Sequence, residues 1–178
     1  MGRSGTGKSY YTINTLIPQY LHSHPTQRVI IFDFNEHWMY SHITKITLDM
    51  LPRWRKRGGI FRICGAAEKK VFEYINKYMR NSLILIEDAT SFFDKGVSPD
   101  DIKKSVVDAK QKNNDFIFQF HGFASAPPLI LRFTDAYILF KTDNPNYRRE
   151  IVGYEEIKSA WEAVMADPNP YAKKFVKI

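Results

Sequence analysis

The chain has 178 residues, of which 44% are hydrophobic and 15% aromatic, a composition typical of globular proteins and not of disordered ones. No stretch approaches the roughly eighteen apolar residues of a membrane-spanning helix, and the start lacks the apolar segment of a signal peptide. The single cysteine, Cys64, excludes an internal disulfide and a cysteine-based zinc site. We therefore expect one soluble, cytoplasmic domain over residues 1–178.

The first element is a glycine-rich loop that matches the phosphate-binding pattern G-x-x-x-x-G-K-[ST]. Its glycines let backbone N–H groups turn toward phosphates, and the helix that follows adds partial positive charge. Lys8 would reach the β and γ phosphates, while the Ser9 hydroxyl would bind Mg²⁺. The expected nucleotide-binding residues are Gly2, Arg3, Ser4, Gly5, Thr6, Gly7, Lys8 and Ser9.

A strand normally leads into such a loop, and the residue before Gly2 leaves no room for one. An empty position in the middle of a sheet would expose two rows of backbone hydrogen-bonding groups. We therefore expect that residues before Met1 exist in the natural protein, or that a strand from elsewhere fills the position. We expect the empty position beside the strand at residues 82–88.

Four apolar runs predict strands that are buried on both faces, as in a parallel sheet. A weaker strand is predicted for an edge at residues 59–64, and an amphipathic helix at 66–80. A second helix is expected to start with Ser98 as its N-cap, a last helix covers residues 154–166, and an extended tail follows. Alternating strands and helices predict an α/β fold. The four buried strands are expected at residues 28–34, 82–88, 115–121 and 136–142.

Basic residues exceed acidic ones by 26 to 19, which gives a net charge of +7. Part of the surplus lies at residues 53–57, "RWRKR", where cations surround Trp54. Such a segment could hold a nucleic-acid backbone and stack on a base, or it could be a solvated loop or helix end. The candidate DNA-binding residues are Arg53, Arg55, Lys56 and Arg57.

Two carboxylates end the run "LILIED", one of the predicted buried strands. A nucleotide-binding sheet needs an acidic residue at such a strand end to hold Mg²⁺ through water, and a second carboxylate can orient the attacking water. Glu87 and Asp88 lie at these two positions at the end of the predicted strand. Together with the phosphate-binding loop they predict a nucleotide-hydrolysing site.

The order "GRSGTGKS", "VIIFDFN", "LILIEDA" and "DFIFQFHGFASAPPLILRFTDAYILFKT" resembles the FtsK/HerA superfamily of P-loop ATPases. Within it, the chain is most similar to the Zot-like and viral DNA-packaging ATPases. The resemblance covers residues 2–142, leaving a C-terminal helix and tail at 143–178. It implies a RecA-like, mostly parallel sheet flanked by helices, with ATP and Mg²⁺ as cofactors. It also implies a homo-oligomeric ring, for instance a hexamer, acting on double-stranded DNA or on phage structural proteins in a bacterial or phage-infected cell.

The resemblance implies a polar sensor at the end of the strand that follows the carboxylates. His121 matches it by position and Gln119 is the second candidate, because alternate residues of a strand point to the same side. The family orders its carboxylates Asp then Glu, whereas this chain has Glu87 then Asp88, so either could be the base. The implied catalytic residues are thus Lys8, Glu87, Asp88, Gln119 and His121, with Ser9 and Glu87 on the metal.

Family members carry an arginine before the sensor strand that acts across a subunit boundary, and this chain has "AKQKNND" there. Lys110 or Lys112 would replace it, although lysine lacks the guanidinium fork. Arg132, Arg148 and Arg149 are alternatives.

We thus expect a Mg²⁺-dependent ATPase that packages or translocates DNA. One alternative is a Zot-like ATPase that assembles or secretes a phage particle without moving DNA. A second is a small nucleotide or metabolite kinase, against which stands the absence of an arginine-rich lid in the sequence.

Overall fold

The computed structural model describes residues 1–2, 5–53, 58–65, 68–93, 97–142 and 151–178. They divide into two compact units, one formed by Ser9–Gln119 and the other by Met1–Lys8 with Phe120–Ile178. Each unit has its own sheet and its own core. Among the described residues, no helix combines the length and apolar character needed to cross a membrane. The expectation of a single domain stays a prediction.

The Ser9–Gln119 unit contains a five-stranded, fully parallel sheet. Its strands lie in the order β2-β3-β1-β4-β5, and the parallel pairing confirms the expected mostly parallel α/β fold. The bounds are β1 Arg28–Phe32, β2 Thr44–Lys45, β3 Ile60–Ile63, β4 Ser82–Ile86 and β5 Asn114–Phe118.

The two central strands are buried along their whole length, which explains their near-continuous apolar sequences. Val29, Ile31, Leu83 and Leu85 form one face of the core with Ile17. The alternate side chains, from Ile30 to Ile86, are buried on the opposite face. The sheet therefore holds the carboxyl ends of β1 and β4 side by side.

Helices and short helical turns connect these strands. Chain order gives α1 Lys8–Tyr11, α2 Ile17–Ser23, α3 Glu68–Tyr78, α4 Ala89–Phe93 and α5 Pro99–Val107. A π-helical turn at Thr12–Leu16 joins α1 to α2, and the Ile17 N–H donates to the Thr12 carbonyl five residues earlier. Ser98 precedes α5 as expected, although among the described residues its side chain caps no backbone N–H.

In its described residues, the second unit contains a two-stranded antiparallel sheet, two α-helices and a 3-10 turn at Phe123–Ser125. The elements are α6 Pro128–Arg132, β6 Ala136–Phe140, α7 Tyr154–Ala166 and β7 Lys173–Lys177. The buried residues Ile157, Ala160 and Val164 of α7 provide its core. The α7 bounds match the predicted helix, and the tail predicted as extended forms β7.

Residues 1 and 2 run beside β6 in this second unit. The Phe140 N–H donates to the Met1 carbonyl at 2.7 Å, and the Gly2 N–H donates to the Phe120 carbonyl at 3.3 Å. In the other unit, β4 pairs with β1 on one edge and β5 on the other. The expectation of an empty position beside the strand at 82–88 is therefore wrong.

The strands also end earlier than the sequence predicted. β1, β4 and β6 each stop two residues short, and β5 stops at Phe118 where residue 121 was expected. Asp88 shows the reason, because its φ of 46° takes the backbone out of the extended conformation. The polar residues that follow the strands thus lie in turns.

Candidate functional site

The glycine-rich loop has backbone angles that glycine adopts readily and other residues rarely adopt. Gly5 and Gly7 have φ angles of 77° and 85°, which other residues rarely adopt. A Cβ on Gly2 would lie 2.4 Å from the Cβ of Phe140, so no larger residue fits there. The Lys8 ammonium donates to the Gly2 carbonyl, which closes the loop on itself. Arg3 and Ser4 lie outside the described residues.

The hydroxyl of Ser9 donates to Glu87 Oε1 at 2.7 Å. The second carboxylate oxygen, Oε2, accepts a 3.1 Å hydrogen bond from the hydroxyl of Tyr40. Glu87 is 6% exposed and Tyr40 is fully buried. The structure thus brings together the serine of the loop and the first carboxylate after β4, as the sequence predicted.

Burial governs the protonation of this group. It raises the pKa of the Glu87 carboxyl above its ordinary value, and the hydrogen bonds from Ser9 and Tyr40 oppose the rise. Burial and the nearby Glu87 charge raise the pKa of the Tyr40 hydroxyl, which therefore stays protonated as a donor. Glu87 is a buried carboxylate with two neutral donors, an arrangement that leaves its charge available to a cation.

Asp88 points into a separate polar group. Its Oδ2 accepts hydrogen bonds from Asn35 Nδ2 at 2.8 Å and from Ser91 Oγ at 2.7 Å. Asn35 follows β1 and is exposed, while Ser91 lies in α4. Neighbouring residues in the chain, Glu87 and Asp88, are therefore held by different partners.

A partly buried ion pair lies beside the loop that contains Tyr40. Asp33, fully buried, accepts from the His37 backbone N–H at 2.9 Å and from Arg62 Nη1 at 3.4 Å. The Tyr40 N–H then donates to the His37 carbonyl at 3.0 Å. Asp33 therefore organises the turn after β1 that carries the tyrosine to Glu87.

The two sensor candidates have different environments. Gln119 is 6% exposed and its Nε2 donates to the Thr12 hydroxyl at 2.9 Å, while its Oε1 is buried without a hydrogen-bond partner in the described part of the chain. His121 is exposed, and its carbonyl accepts from the Thr142 hydroxyl at 3.3 Å. Only Gln119 lies in the same unit as Ser9 and Glu87.

The candidate trans-acting cations differ in how they are held. Lys112 pairs with Asp108 at 3.1 Å in its own unit, whereas Lys110 and Arg132 are exposed. Arg53, at the end of a 3-10 turn at Leu48–Arg53, is also exposed. The rest of the basic segment lies outside the described residues, namely Trp54, Arg55, Lys56 and Arg57. The alternative trans-acting residues Arg148 and Arg149 also lie outside them.

Sequence reasoning did not identify four residues that contact the predicted ones, namely Asn35, Tyr40, Ser91 and Thr12. The sequence contained a signal for Asn35, because this residue directly follows a buried strand. The carboxyl ends of parallel strands meet at one edge of a sheet, so Asn35 could be expected near the carboxylates that follow the next strand. Tyr40 lies in a loop whose course depends on the Asp33 and Arg62 pair, so its sequence gave no comparable signal.

Replacement of Glu87 by Gln should change how the free energy of unfolding depends on pH. Because the folded-state pKa of Glu87 is raised, its contribution to stability is present at low pH and is lost as pH rises through that pKa. In metal-free buffer, Glu87→Gln should therefore gain stability relative to wild type between acidic and neutral pH. Urea unfolding at several pH values measures this. The exposed control Glu73→Gln should follow wild type, and an identical curve for Glu87→Gln would contradict the argument.

Replacement of Tyr40 by Phe should lower the free energy of unfolding by about 1–3 kcal/mol, because a buried carboxylate oxygen loses its donor. Chemical unfolding at neutral pH measures the loss, with Tyr10→Phe, on a 63% exposed ring, as the matched control. In a Glu87→Gln background the cost should shrink, since the charged acceptor is gone. Equal costs in both backgrounds would show that Tyr40 does not act through Glu87.

Comparison with solved structures finds viral genome-packaging NTPases. The genome packaging NTPase B204 from Sulfolobus turreted icosahedral virus 2, in complex with ATP-gammaS, is 23% identical and matches with a TM-score of 0.75, covering 99% of this chain and 89% of that chain. Its AMP complex matches with a TM-score of 0.76 at the same identity and coverage. B204, the DNA-packaging ATPase from Sulfolobus Turreted Icosahedral Virus, is 21% identical with a TM-score of 0.65, covering 99% and 94%.

No protein-family model matches the sequence, and the search of curated proteins found no match. At these identities the structural matches establish the fold. The chain has the mostly parallel, helix-flanked α/β fold of a P-loop NTPase.

Proposed function

We propose that this chain is a Mg²⁺-dependent ATPase that packages or translocates the DNA of a virus or mobile element. The observation that carries the proposal is the 2.7 Å hydrogen bond between the Ser9 hydroxyl and Glu87. Ser9 ends the phosphate-binding pattern and Glu87 follows a buried strand, so their contact joins the two halves of a nucleotide site. The resemblance to B204, a genome-packaging NTPase solved with ATP-gammaS, supports both the ligand and the process.

The donor set of Ser9 and Glu87 suits Mg²⁺, which prefers oxygen ligands and uses one or two carboxylates. A bound Mg²⁺ would neutralise charge on the phosphates as the transferred group departs. The Ser9 hydroxyl would bind it directly and Glu87 would hold it through water. Tyr40 keeps the Glu87 carboxylate oriented from its buried side.

Lys8 would leave the Gly2 carbonyl and bind the β and γ phosphates, where its charge stabilises the transition state. Because Glu87 is engaged with Ser9, we assign activation of the attacking water to Asp88, whose carboxylate is held by Asn35 and Ser91. The buried Oε1 of Gln119 is suited to accept a hydrogen bond from that water, and we prefer Gln119 to His121 as the sensor.

A ring of subunits is the second part of the proposal. Lys110 and Arg132 are exposed and could reach the nucleotide of a neighbouring subunit, as a trans-acting cation does in related phosphoryl-transfer systems. Lys112 is the weaker candidate because Asp108 already pairs with it. The net charge of +7 and the basic segment that begins at Arg53 favour DNA as the polymer on which the ring acts.

Replacement of Lys8 by Ala should abolish ATP binding and leave the fold intact, because the ammonium donates to a carbonyl of the loop and its charge serves the ligand. Isothermal titration with ATP and Mg²⁺ measures binding, and circular dichroism with thermal melting checks the fold. Lys103→Ala, the same charge change on an exposed position of α5, should bind ATP as wild type does. Equal ATP affinity in Lys8→Ala and wild type would disprove the nucleotide site.

Double-stranded DNA should stimulate ATP turnover if the chain is a DNA motor. Steady-state phosphate release is measured with and without duplex DNA at low and high salt, since phosphate contacts weaken as salt rises. We expect stimulation at low salt that declines at high salt, and none in Lys8→Ala. ATP turnover that is identical with and without DNA would instead favour the ATPase that assembles or secretes a phage particle.

A further inference from the structure

An exposed aromatic ring lies against the phosphate-binding loop in the unit formed by Met1–Lys8 and Phe120–Ile178. A Cβ built on Gly7 would lie 3.4 Å from Cδ1 of Tyr171, an ordinary van der Waals distance. The Tyr171 ring is nevertheless 60% exposed. The ring thus lies beside Gly7 of the loop, and much of its surface faces solvent.

The segment that carries Tyr171 is held by its own hydrogen bonds. The Asp167 side chain accepts from the Asn169 N–H at 2.8 Å, and the Asn169 side chain accepts from the Tyr171 N–H at 2.9 Å. The Lys141 ammonium donates to the Asp167 carbonyl. These successive Asx turns restrict the backbone, so little backbone freedom is left to lose when a ligand packs on the ring.

The strand that follows anchors the other side of the segment. Ala172 donates its N–H to the Asn169 carbonyl at 3.1 Å and is 7% exposed, and β7 then pairs with β6 from Lys173 onward. Tyr171 therefore lies between the turn that the Asp167 and Asn169 side chains stabilise and the strand β7, which pairs with β6. An exposed ring on a fixed backbone beside a phosphate loop presents a flat apolar surface to a planar ligand.

We propose that Tyr171 stacks on the nucleobase of the nucleoside triphosphate whose phosphates lie on the loop at residues 2–9. The inference rests on the proposed nucleotide site and deepens it by assigning the base-binding residue. Every base has a π-face, so a single stacking ring adds affinity for any nucleotide without choosing among bases. Tyr171 therefore holds ATP and GTP alike, and does not bind a bare polyphosphate.

The test uses the whole chain and three variants. Tyr171→Ala removes the ring, Tyr171→Phe keeps it, and Phe175→Ala removes an equally exposed ring, 62% exposed, from β7 of the same tail. Isothermal titration measures the affinity of each for ATP-gammaS and for GTP-gammaS with Mg²⁺. Competition against bound ATP-gammaS measures the affinity for inorganic tripolyphosphate, which has the phosphates and lacks the base.

Tyr171→Ala should bind both nucleotides about 5- to 150-fold more weakly, the range expected for loss of one base-stacking ring. Its affinity for tripolyphosphate should equal that of wild type, and Tyr171→Phe and Phe175→Ala should bind nucleotides as wild type does. Thermal melting should be unchanged in all three, because the rings are exposed.

Two results would overturn the inference while leaving the nucleotide site in place. One is an unchanged nucleotide affinity in Tyr171→Ala. The other is an equal loss of affinity for tripolyphosphate, which would show that Tyr171 acts by shaping the loop and not by contact with the base. Failure of the wild-type chain to bind ATP-gammaS at all would instead disprove the proposed function, so the two failures are distinguishable.

Discussion

The buried carboxylate of Glu87 is the constraint on which the rest of the candidate site depends. A carboxylate removed from water destabilises the fold unless donors or a cation satisfy it. Glu87 receives one hydroxyl from the start of the first helix and one from the loop after β1. Three segments that are distant in sequence are therefore fixed in place by the need to satisfy a single acidic group.

The turn after β1 contributes to this arrangement through a second buried carboxylate. Asp33 differs from Glu87 in having a cationic partner, Arg62, from the neighbouring strand β3. A carboxylate whose charge is neutralised by a guanidinium can stabilise the fold, but its charge is no longer available to bind a metal. The two strand ends thus carry carboxylates with opposite roles, one compensated within the protein and one with its charge left for a ligand.

Much of the sheet could be predicted because buried parallel strands need continuous apolar sequences, and β1 and β4 have them. β5 was also predicted to be buried on both faces, but it lies at an edge of the described sheet and is mostly half-buried. The contact between Ser9 and Glu87 followed from the spacing of two motifs. The position of residues 1 and 2 beside β6 could not be predicted, since the pairing of two residues leaves no periodicity to detect. Nor could Tyr40 be predicted, because a loop residue reaches its partner through turns that depend on tertiary ion pairs.

The π-helical turn at Thr12–Leu16 has a consequence for how the first helix can vary. A π turn is equivalent to one extra residue inserted into an α-helix, and such turns often occur at functional positions. Deleting one residue within it would restore regular helix while keeping Ser9 and Ile17 on their present faces. A deletion elsewhere between Lys8 and Ser23 would rotate one end by about 100° relative to the other. In related chains, length changes in this helix should therefore be confined to the π turn, where they move the Thr12 hydroxyl that holds Gln119.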